Sequence, residues 1–196
     1  MSAVQAEELA LFPLQTVLFP GGLLPLRIFE QRYMEMAKAC LRDGTVFGVC
    51  LIREGREVGE PALPESMGCT ARIVQWDMPQ LGLLQVVARG EQRFRIRARR
   101  VRADGLALAS AELLGAETDA PLDAADICAR VLKRIVDAAP AGLIEPPPRY
   151  DSCAWVSARL AELLPLSTTA KQRLLEMDEA RARIEILRRL ISSSGQ

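Results

Sequence analysis

One apolar stretch interrupted by prolines constrains the fold more than any other feature of the sequence. The stretch reads LFPLQTVLFPGGLLPLRIFEQRY and begins at Leu11. Proline fixes φ and donates no hydrogen bond, so Pro13, Pro20 and Pro25 belong at the starts or edges of strands. Because two glycines follow Pro20, the chain should turn tightly between two extended segments. We therefore expect two strands of a small sheet or barrel, with apolar residues up to Phe29 in its core.

Towards the end of this stretch, apolar residues recur at intervals of three and four. This spacing predicts a helix over about residues 29–43, which ends at an Asp-Gly pair. Buried or half-buried arginines are normally paired with carboxylates. We therefore interpret Arg27, Glu30 and Arg32 as an ion-pair and hydrogen-bond set, with Arg27 and Glu30 tying the helix start to the sheet. A direct role in peptide binding is the alternative.

Between residues 45 and 115, short apolar and β-branched runs alternate with turn residues, which predicts further strands. Residues 53–66 are rich in Gly, Pro and Glu and predict an exposed loop with at most one short edge strand. Turns are expected at 78–82, at 89–91 and at Asp104-Gly105. The predicted strands are 45–52, 68–76, 83–88, 92–102 and 106–114.

Arginine alternates with apolar residues in the segment QRFRIRARRVR, which begins at Gln92. In a regular strand this would place Arg93, Arg95, Arg97 and Arg99 on one face. Such a face suits either RNA phosphates or glutamates of neighbouring strands. Because Lys+Arg and Asp+Glu both number 25, the balance of charge favours pairing with glutamates. RNA binding through these four arginines remains the alternative function.

After residue 115 the apolar period changes from two to about 3.6, which predicts a helical part. Residues that commonly cap helices divide this part into four predicted helices. These helices should begin near Asp123, after Asp151 or Ser152, after Ser167 and after Asp178.

Composition argues against catalysis and against a metal site. The chain contains no histidine, the commonest general base and metal ligand. It contains no G-x-x-x-x-G-K-[ST] loop for nucleotide phosphates, and only Lys38, Lys133 and Lys171 are available as a base for a nucleophile. We expect no enzymatic activity, no catalytic residue, no cofactor and no metal.

The cysteines and the N-terminal sequence bear on the cellular compartment. No C-x-x-C spacing occurs, so buried free thiols in a reducing cytosol are expected. The N-terminus lacks the basic region of a signal peptide, and no apolar run approaches the roughly 20 residues of a membrane helix. We therefore expect a cytoplasmic protein without membrane contact. The five cysteines are Cys40, Cys50, Cys69, Cys128 and Cys153.

Several ordered motifs resemble the Lon protease N-terminal domain, also called the Lon substrate-binding domain. They are FPL followed by VLFPGGLLPLRIFEQRY, then GEQRFRI with a turn and a strand, and KQRLLE in the helical part. Together they extend over about residues 9–191. The family motif in the first of these comprises Pro20, Gly21, Arg27, Phe29, Glu30, Arg32 and Tyr33.

The resemblance implies an α+β fold: a PUA-like β-pseudo-barrel domain at 9–115 with one inserted helix, then an α-helical bundle domain at 120–192. It also implies a stand-alone, non-catalytic module that binds unfolded or degron-bearing polypeptide or a partner protein. Loops often carry binding residues and methionine adapts to varied partners, so the candidate peptide-binding residues are Met78, Pro79, Leu81 and Leu63. A scaffold that acts by oligomerisation is a third possibility.

Overall fold

The computed structural model describes residues 6–193. Its backbone divides into two units, Met1–Gly115 and Ala116–Gln196. Strands dominate the first unit and helices the second, so the fold class is α+β, as the sequence predicts.

Six strands and one helix build the first unit. The strands pair in the order β2-β5-β4-β3-β1-β6, and β6 pairs again with β5. This last pairing closes five strands into a ring, while β2 lies outside the ring on β5. The β1–β3 pair is parallel and all other pairs are antiparallel. The elements are β1 (Ala6–Leu14), β2 (Leu23–Ile28), α1 (Gln31–Asp43), β3 (Phe47–Glu54), β4 (Leu63–Gln80), β5 (Leu83–Val101) and β6 (Ala107–Leu113).

Helix α1 packs its apolar face on the sheet and forms the main core of this unit. Tyr33 and Ala37 of α1 are buried with Ile28 of β2 and Leu84 of β5. Phe12 of β1 stacks on Tyr33 with ring centroids 4.1 Å apart. The predicted core position of Phe29 is wrong, because its side chain is 58% exposed. Strand β2 ends at Ile28 and α1 begins only at Gln31, so Phe29 belongs to neither buried face.

A tight turn at Pro20-Gly21 joins the first strands, as predicted. The Gly22 N–H donates to the carbonyl of Phe19 at 3.0 Å, and Gly21 adopts a φ of 76°. Two further bonds attach the turn to β5, from the Gly21 N–H to the Gly90 carbonyl and from the Gly90 N–H to the Gly22 carbonyl. The predicted turn at 89–91 is wrong, because β5 runs through it without a break. Glycine at position 90 allows the backbone of Phe19 to lie close to β5, because a Cβ there would be 2.3 Å from the Phe19 oxygen.

Strand β4 is longer than the sequence predicts at both ends. It begins at Leu63, inside the predicted 53–66 loop, and continues to Gln80. The turn predicted over 78–82 is therefore confined to Leu81 and Gly82, and Met78 and Pro79 belong to the strand. Proline is tolerated there because this part of β4 is an edge strand.

Four helices build the second unit: α2 (Ile127–Ala138), α3 (Cys153–Leu163), α4 (Thr168–Leu175) and α5 (Ala180–Ser193). Ser152 and Ser167 cap α3 and α4 with their hydroxyls, as predicted. Asp126, rather than Asp123, caps α2 by accepting from the Cys128 N–H. Buried Arg183 of α5 donates to the Ser157 hydroxyl of α3 at 2.8 Å.

All five cysteines are buried free thiols, as predicted. Burial raises the pKa of Cys50 strongly, so this thiol stays protonated at neutral pH. Within residues 6–193, no helix combines the length and hydropathy that crossing a membrane requires.

Candidate functional site

The free end of the sheet, where β2, β5 and β4 lie side by side, carries the most exposed apolar surface of the first unit. Three rungs cross these strands, Pro25–Val87–Gln75, Leu26–Val86–Trp76 and Arg27–Gln85–Asp77. Residues on one rung share a face, and successive rungs alternate between the two faces.

Large apolar side chains are concentrated at this end. Nine of them are exposed among the described residues. Four lie in the last part of β4 and its turn, and a fifth, Phe29, directly follows β2. Leu81 in the turn is 98% exposed and Trp76 on β4 is 61% exposed. Exposed apolar patches of this kind commonly mark binding surfaces. We call these five residues the hairpin surface: Phe29, Val74, Trp76, Met78 and Leu81.

A β-bulge decides the orientation of Trp76. Ile73 pairs with Ala88 and Gln75 with Val87, so Val74 is an extra residue on β4. Because of this extra residue, Trp76 lies on the face of the sheet that also carries the buried Val86 and the half-buried Leu26. Trp76 therefore borders the main core while most of its indole is exposed. Met78, two residues further on, is 38% exposed. The register of β4 on β5 shifts again between Asp77 and Gln80.

Beyond Ala71, β4 has an unpaired edge. Its pairing with β3 ends at the Phe47–Ala71 pair, whereas its pairing with β5 continues to Gln80. Among the described strands, none pairs with β4 over residues 72–80 on the side opposite β5. We call residues 74–78 on this side the free edge.

The same three strands line an open groove of about 620 Å³. It is lined by residues 25–27 of β2, 75–77 of β4 and 85–87 of β5. Arg27 and Asp77 lie at opposite ends of one rung, with Gln85 between them. The groove therefore offers one cation, one carboxylate and amide groups, beside the apolar Pro25 and Val87.

The structure brings some of the predicted peptide-binding residues together and separates one. Met78, Pro79 and Leu81 lie within the last part of β4 and its turn. Leu63 begins the same 18-residue strand at its other end, opposite Glu54, and does not belong to this surface. Sequence reasoning missed Trp76, which it placed in a strand, and Phe29, which it placed in the core. The available signal was a sequence in which Trp76 is followed closely by Met78 and Pro79.

The predicted arginine face does not exist as a continuous surface. Arg93 is 4% exposed, and Arg97 is an extra residue on β5, because Ile96 pairs with Ala111 and Ala98 with Ser110. This bulge reverses the alternation, so that Arg99 lies on the face opposite to Arg95.

The exposed members of the arginine row are engaged locally. The Arg97 guanidinium forms an ion pair with Glu112 of β6, and Arg99 donates to the Ala62 carbonyl at 3.1 Å. Half-buried Arg95 also lies opposite Glu112 in the strand register. Arg97 therefore pairs with a glutamate of a neighbouring strand, which is the interpretation that the balance of charge favours.

The predicted ion pair at the start of α1 involves a different arginine. Glu30 bonds with Arg32 at 2.9 Å, while the side chain of Arg27 is exposed in the groove. Arg27 points away from Glu30 because it precedes the buried Ile28 on β2, where alternation turns it to the outer face. Glu30 is the N-cap of α1 rather than a residue of its first turn.

Arg32 connects three segments of the first unit. It donates to the Gly105 carbonyl in the β5–β6 turn at 3.1 Å and to the Gly59 carbonyl in the 55–62 loop at 2.6 Å. Its guanidinium also lies 4.7 Å from the centre of the Tyr33 ring. Burial raises the pKa of Tyr33, and the charge of Arg32 opposes this shift. The 55–62 loop, which lies within the predicted 53–66 loop, is therefore attached to the barrel.

The three lysines each have a polar partner. Lys38 bonds with Glu35 at 2.9 Å, and Lys133 with Asp137 at 2.8 Å. Lys171 donates to the Glu162 carbonyl at 2.6 Å, and burial lowers its pKa. No group of three or more Cys, Asp or Glu residues within 6–193 is arranged to hold a metal ion.

A second apolar groove lies in the helical unit. Helices α4 and α5 enclose about 290 Å³ between them, lined mainly by apolar side chains. Ile186 and Leu190 of α5 are about 40% exposed there.

The chain is similar to proteins of one family in sequence and in fold. The sequence profile described as ATP-dependent protease La (LON) substrate-binding domain matches residues 8–193. The chain is 37% identical to a Lon N-terminal domain protein from Xanthomonas campestris, whose crystal structure superimposes with a TM-score of 0.76 over 92% of this chain and 96% of that one. The N-terminal domain of Lon protease from the Mycobacterium avium complex superimposes with a TM-score of 0.60 at 17% identity, over 92% and 96%.

Curated relatives are much longer than this chain. Lon protease of Paraburkholderia phytofirmans is 29% identical over 209 residues, which is 95% of this chain and 26% of that protein. Lon protease 2 of Myxococcus xanthus is 34% identical over 93 residues, 46% of this chain and 11% of that protein. The chain thus spans about a quarter or less of the length of these relatives. Because the profile matches nearly all of its residues, the chain belongs to the family of ATP-dependent protease La (LON) substrate-binding domains.

Proposed function

We propose that this chain is a non-catalytic recognition module that binds unfolded polypeptide through the hairpin surface. The observation that carries the proposal is the concentration of exposed apolar side chains at the end of β4, above all the 61% exposed Trp76. An unfolded chain differs from a folded protein in presenting apolar side chains to solvent, and these would be buried against Trp76 and Met78. The family to which the chain belongs supports the same role.

The size of the contribution of Trp76 follows from its exposure. A tryptophan buries about 150–250 Å² when it is fully covered, and hot-spot residues of an interface contribute about 2 kcal/mol or more. With more than half of its surface free, Trp76 is large enough to be such a residue. We expect Trp76→Ala to weaken binding of unfolded polypeptide by about tenfold or more.

Intrinsic fluorescence provides a direct test, because the chain has only two tryptophans, Trp76 and Trp155. Trp155 is half-buried and contacts Tyr150 edge-on at 5.6 Å in the helical unit. A Trp155→Phe variant therefore leaves Trp76 as the sole tryptophan. Titration with reduced, carboxymethylated ribonuclease A, which stays unfolded and contains no tryptophan, should shift its emission to shorter wavelength, whereas native ribonuclease A should not.

Matched variants separate the hairpin surface from other apolar surface. Trp76→Ala and Met78→Ala should weaken binding measured by anisotropy of the labelled, unfolded protein. Val101→Ala changes a side chain that is 45% exposed elsewhere on β5, and it should leave the affinity unchanged. Ile186→Ala tests the groove between α4 and α5 in the same way. Equal affinities for Trp76→Ala and Val101→Ala would contradict the proposal.

The proposal also includes the cytoplasm as the compartment, because buried free thiols suit a reducing environment. The alternative of RNA binding through Arg93, Arg95, Arg97 and Arg99 has no specific observation in its favour. Their row is interrupted by a bulge, and Arg93 is buried.

A further inference from the structure

Main-chain groups at the free edge of β4 are not paired with any other described strand. In an antiparallel pair, the main-chain groups of every second residue point to the same edge. The N–H and C=O of Gly90 bond to the turn that precedes β2, so those of Val86, four residues earlier in β5, also point towards β2. Trp76, which pairs with Val86, therefore directs its N–H and C=O to the free edge. The Met78 N–H donates to the carboxylate of the adjacent Asp77 at 2.8 Å, a bond that a further strand would have to displace.

The side chains beside these groups have the spacing of a strand-binding surface. Trp76 and Met78 lie two residues apart in β4, which is the interval at which an added strand places its own side chains. An extended ligand with apolar residues at alternate positions would cover both. A helical ligand would leave the main-chain groups of the edge unpaired.

Charge specifies the ligand further. Asp77 lies between Trp76 and Met78 and faces the other side of the sheet. Its counterpart Arg27 lies two strand spacings away, about 10 Å, because Gln85 separates them on the rung. The nearest residue of an added strand would be about 4.5–5.5 Å from Asp77, close enough for an ion pair.

We infer that the free edge of β4 binds polypeptide by strand addition. The ligand is an extended segment with apolar residues at alternate positions and a lysine or arginine between them, opposite Asp77. This inference rests on the proposed function and specifies how the same site acts. Main-chain bonds supply affinity for any extended chain, and the apolar positions together with the basic residue supply the selectivity.

Backbone methylation distinguishes strand addition from side-chain binding. The probe is a short labelled peptide with valine and leucine at alternate positions, threonine between them and one central lysine. Two further peptides carry N-methyl groups on every second amide. In one peptide the methylated amides point to one edge of the extended chain, and in the other they point to the opposite edge. An added strand places only one of its edges on β4. Methylation of that edge should therefore weaken binding at least tenfold, whereas methylation of the other edge should change it less than threefold.

Two changes in the protein test the same contacts. Met78→Pro removes the N–H at the free edge without removing a bond to β5, and Met78→Ala is its control for the side chain. Met78→Pro should bind the unmethylated peptide at least fivefold more weakly than Met78→Ala does. In the second comparison, exchange of lysine for glutamine in the peptide should weaken binding to the wild type about threefold. The same exchange should have no effect on Asp77→Asn.

The outcomes distinguish a failure of strand addition from a failure of the proposed function. Equal effects of the two methylation patterns would overturn strand addition, even if unfolded ribonuclease A binds. Binding of unfolded ribonuclease A without binding of any peptide would overturn it as well and leave the proposed function intact. Binding of neither ligand would overturn both. A second copy as the occupant would appear in sedimentation as a dimer that Met78→Pro abolishes, and this result would also refute the inference.

Discussion

Replacement of Arg32 tests whether the charged residues at the start of α1 stabilise the fold or bind a ligand. Arg32→Ala removes hydrogen bonds to Gly59, Gly105 and Glu30 and the contact with the Tyr33 ring. The Arg32 side chain is 7% exposed and that of Glu30 is 20% exposed, so the pair is largely shielded from water. Loss of Arg32 leaves the Glu30 carboxylate without its cation.

The magnitudes differ between the two partners. Breaking a buried pair typically costs about 3–5 kcal/mol, and we expect Arg32→Ala to lower the free energy of unfolding of the first unit by about that amount. Glu30→Ala leaves Arg32 with two carbonyl acceptors, so its expected cost is about 1–2 kcal/mol, the loss of a single charged hydrogen bond. Arg27→Ala changes an exposed side chain and should cost less than about 0.5 kcal/mol.

Urea unfolding of the full chain in the Trp155→Phe background measures these differences, because Trp76 then reports on the first unit. The double variant Arg32→Ala with Glu30→Ala completes a cycle that isolates the coupling energy of the pair. The reasoning is refuted if Glu30→Ala costs as much as Arg32→Ala, or if Arg27→Ala costs more than about 1 kcal/mol. A variant at Arg32 that keeps its stability but loses polypeptide binding would assign this residue to the ligand.

Two further predictions concern packing and pH. Gly90→Ala should destabilise the first unit by about 1–3 kcal/mol in the same assay, because the new Cβ would lie 2.3 Å from the Phe19 oxygen; Gly115→Ala, with no atom within 4 Å, is the control. Burial raises the pKa of Asp126, but hydrogen bonds, above all that from Arg188, hold it below its ordinary value. This carboxylate stabilises the folded state above about pH 4, and its contribution is lost as pH falls further through the folded-state pKa. Because asparagine also caps helices, Asp126→Asn should flatten the acid limb of stability against pH, as monitored by Trp155 fluorescence, and an unchanged slope would contradict this.

Local chemistry accounts for the features of the fold that the sequence predicts well. Pro20 and the following glycines can form little other than a turn. Ser152 and Ser167 precede helices because a hydroxyl satisfies an N–H that the helix leaves free. Gly44 ends α1 with a φ of 65°, which glycine adopts without strain. In each case the cause lies within a few residues of its effect.

Strand boundaries and faces depend on distant residues and were less predictable. Gly90 has the sequence appearance of a turn, but its role is to admit the backbone of Phe19, which is remote in the chain. The bulge at Arg97 reverses the alternation on which the arginine face was predicted. A bulge is determined by how β5 pairs with β6, and the sequence of β5 alone does not contain that information.

The candidate site was partly predictable for the same reason. Met78 and Leu81 were identified through their expected position in a turn, although Met78 belongs to the strand. Trp76 was missed because its exposure depends on where β3 stops covering β4, and that pairing ends at Ala71. Neither the end of a pairing nor a free strand edge can be recognised from the residues of one strand.

The free edge combines features that promote binding with features that limit it. An exposed strand edge with apolar side chains readily pairs with another copy, and proteins protect such edges with proline and charged residues. Pro79 ends the pairing surface after Met78, and Asp77 occupies the Met78 N–H with its own carboxylate. An incoming strand must displace this carboxylate, and a basic residue on that strand would compensate for its loss. Two identical edges bring two Asp77 carboxylates together, whereas a basic extended segment brings opposite charges together. The same residue thus disfavours self-association and favours the ligand that we propose.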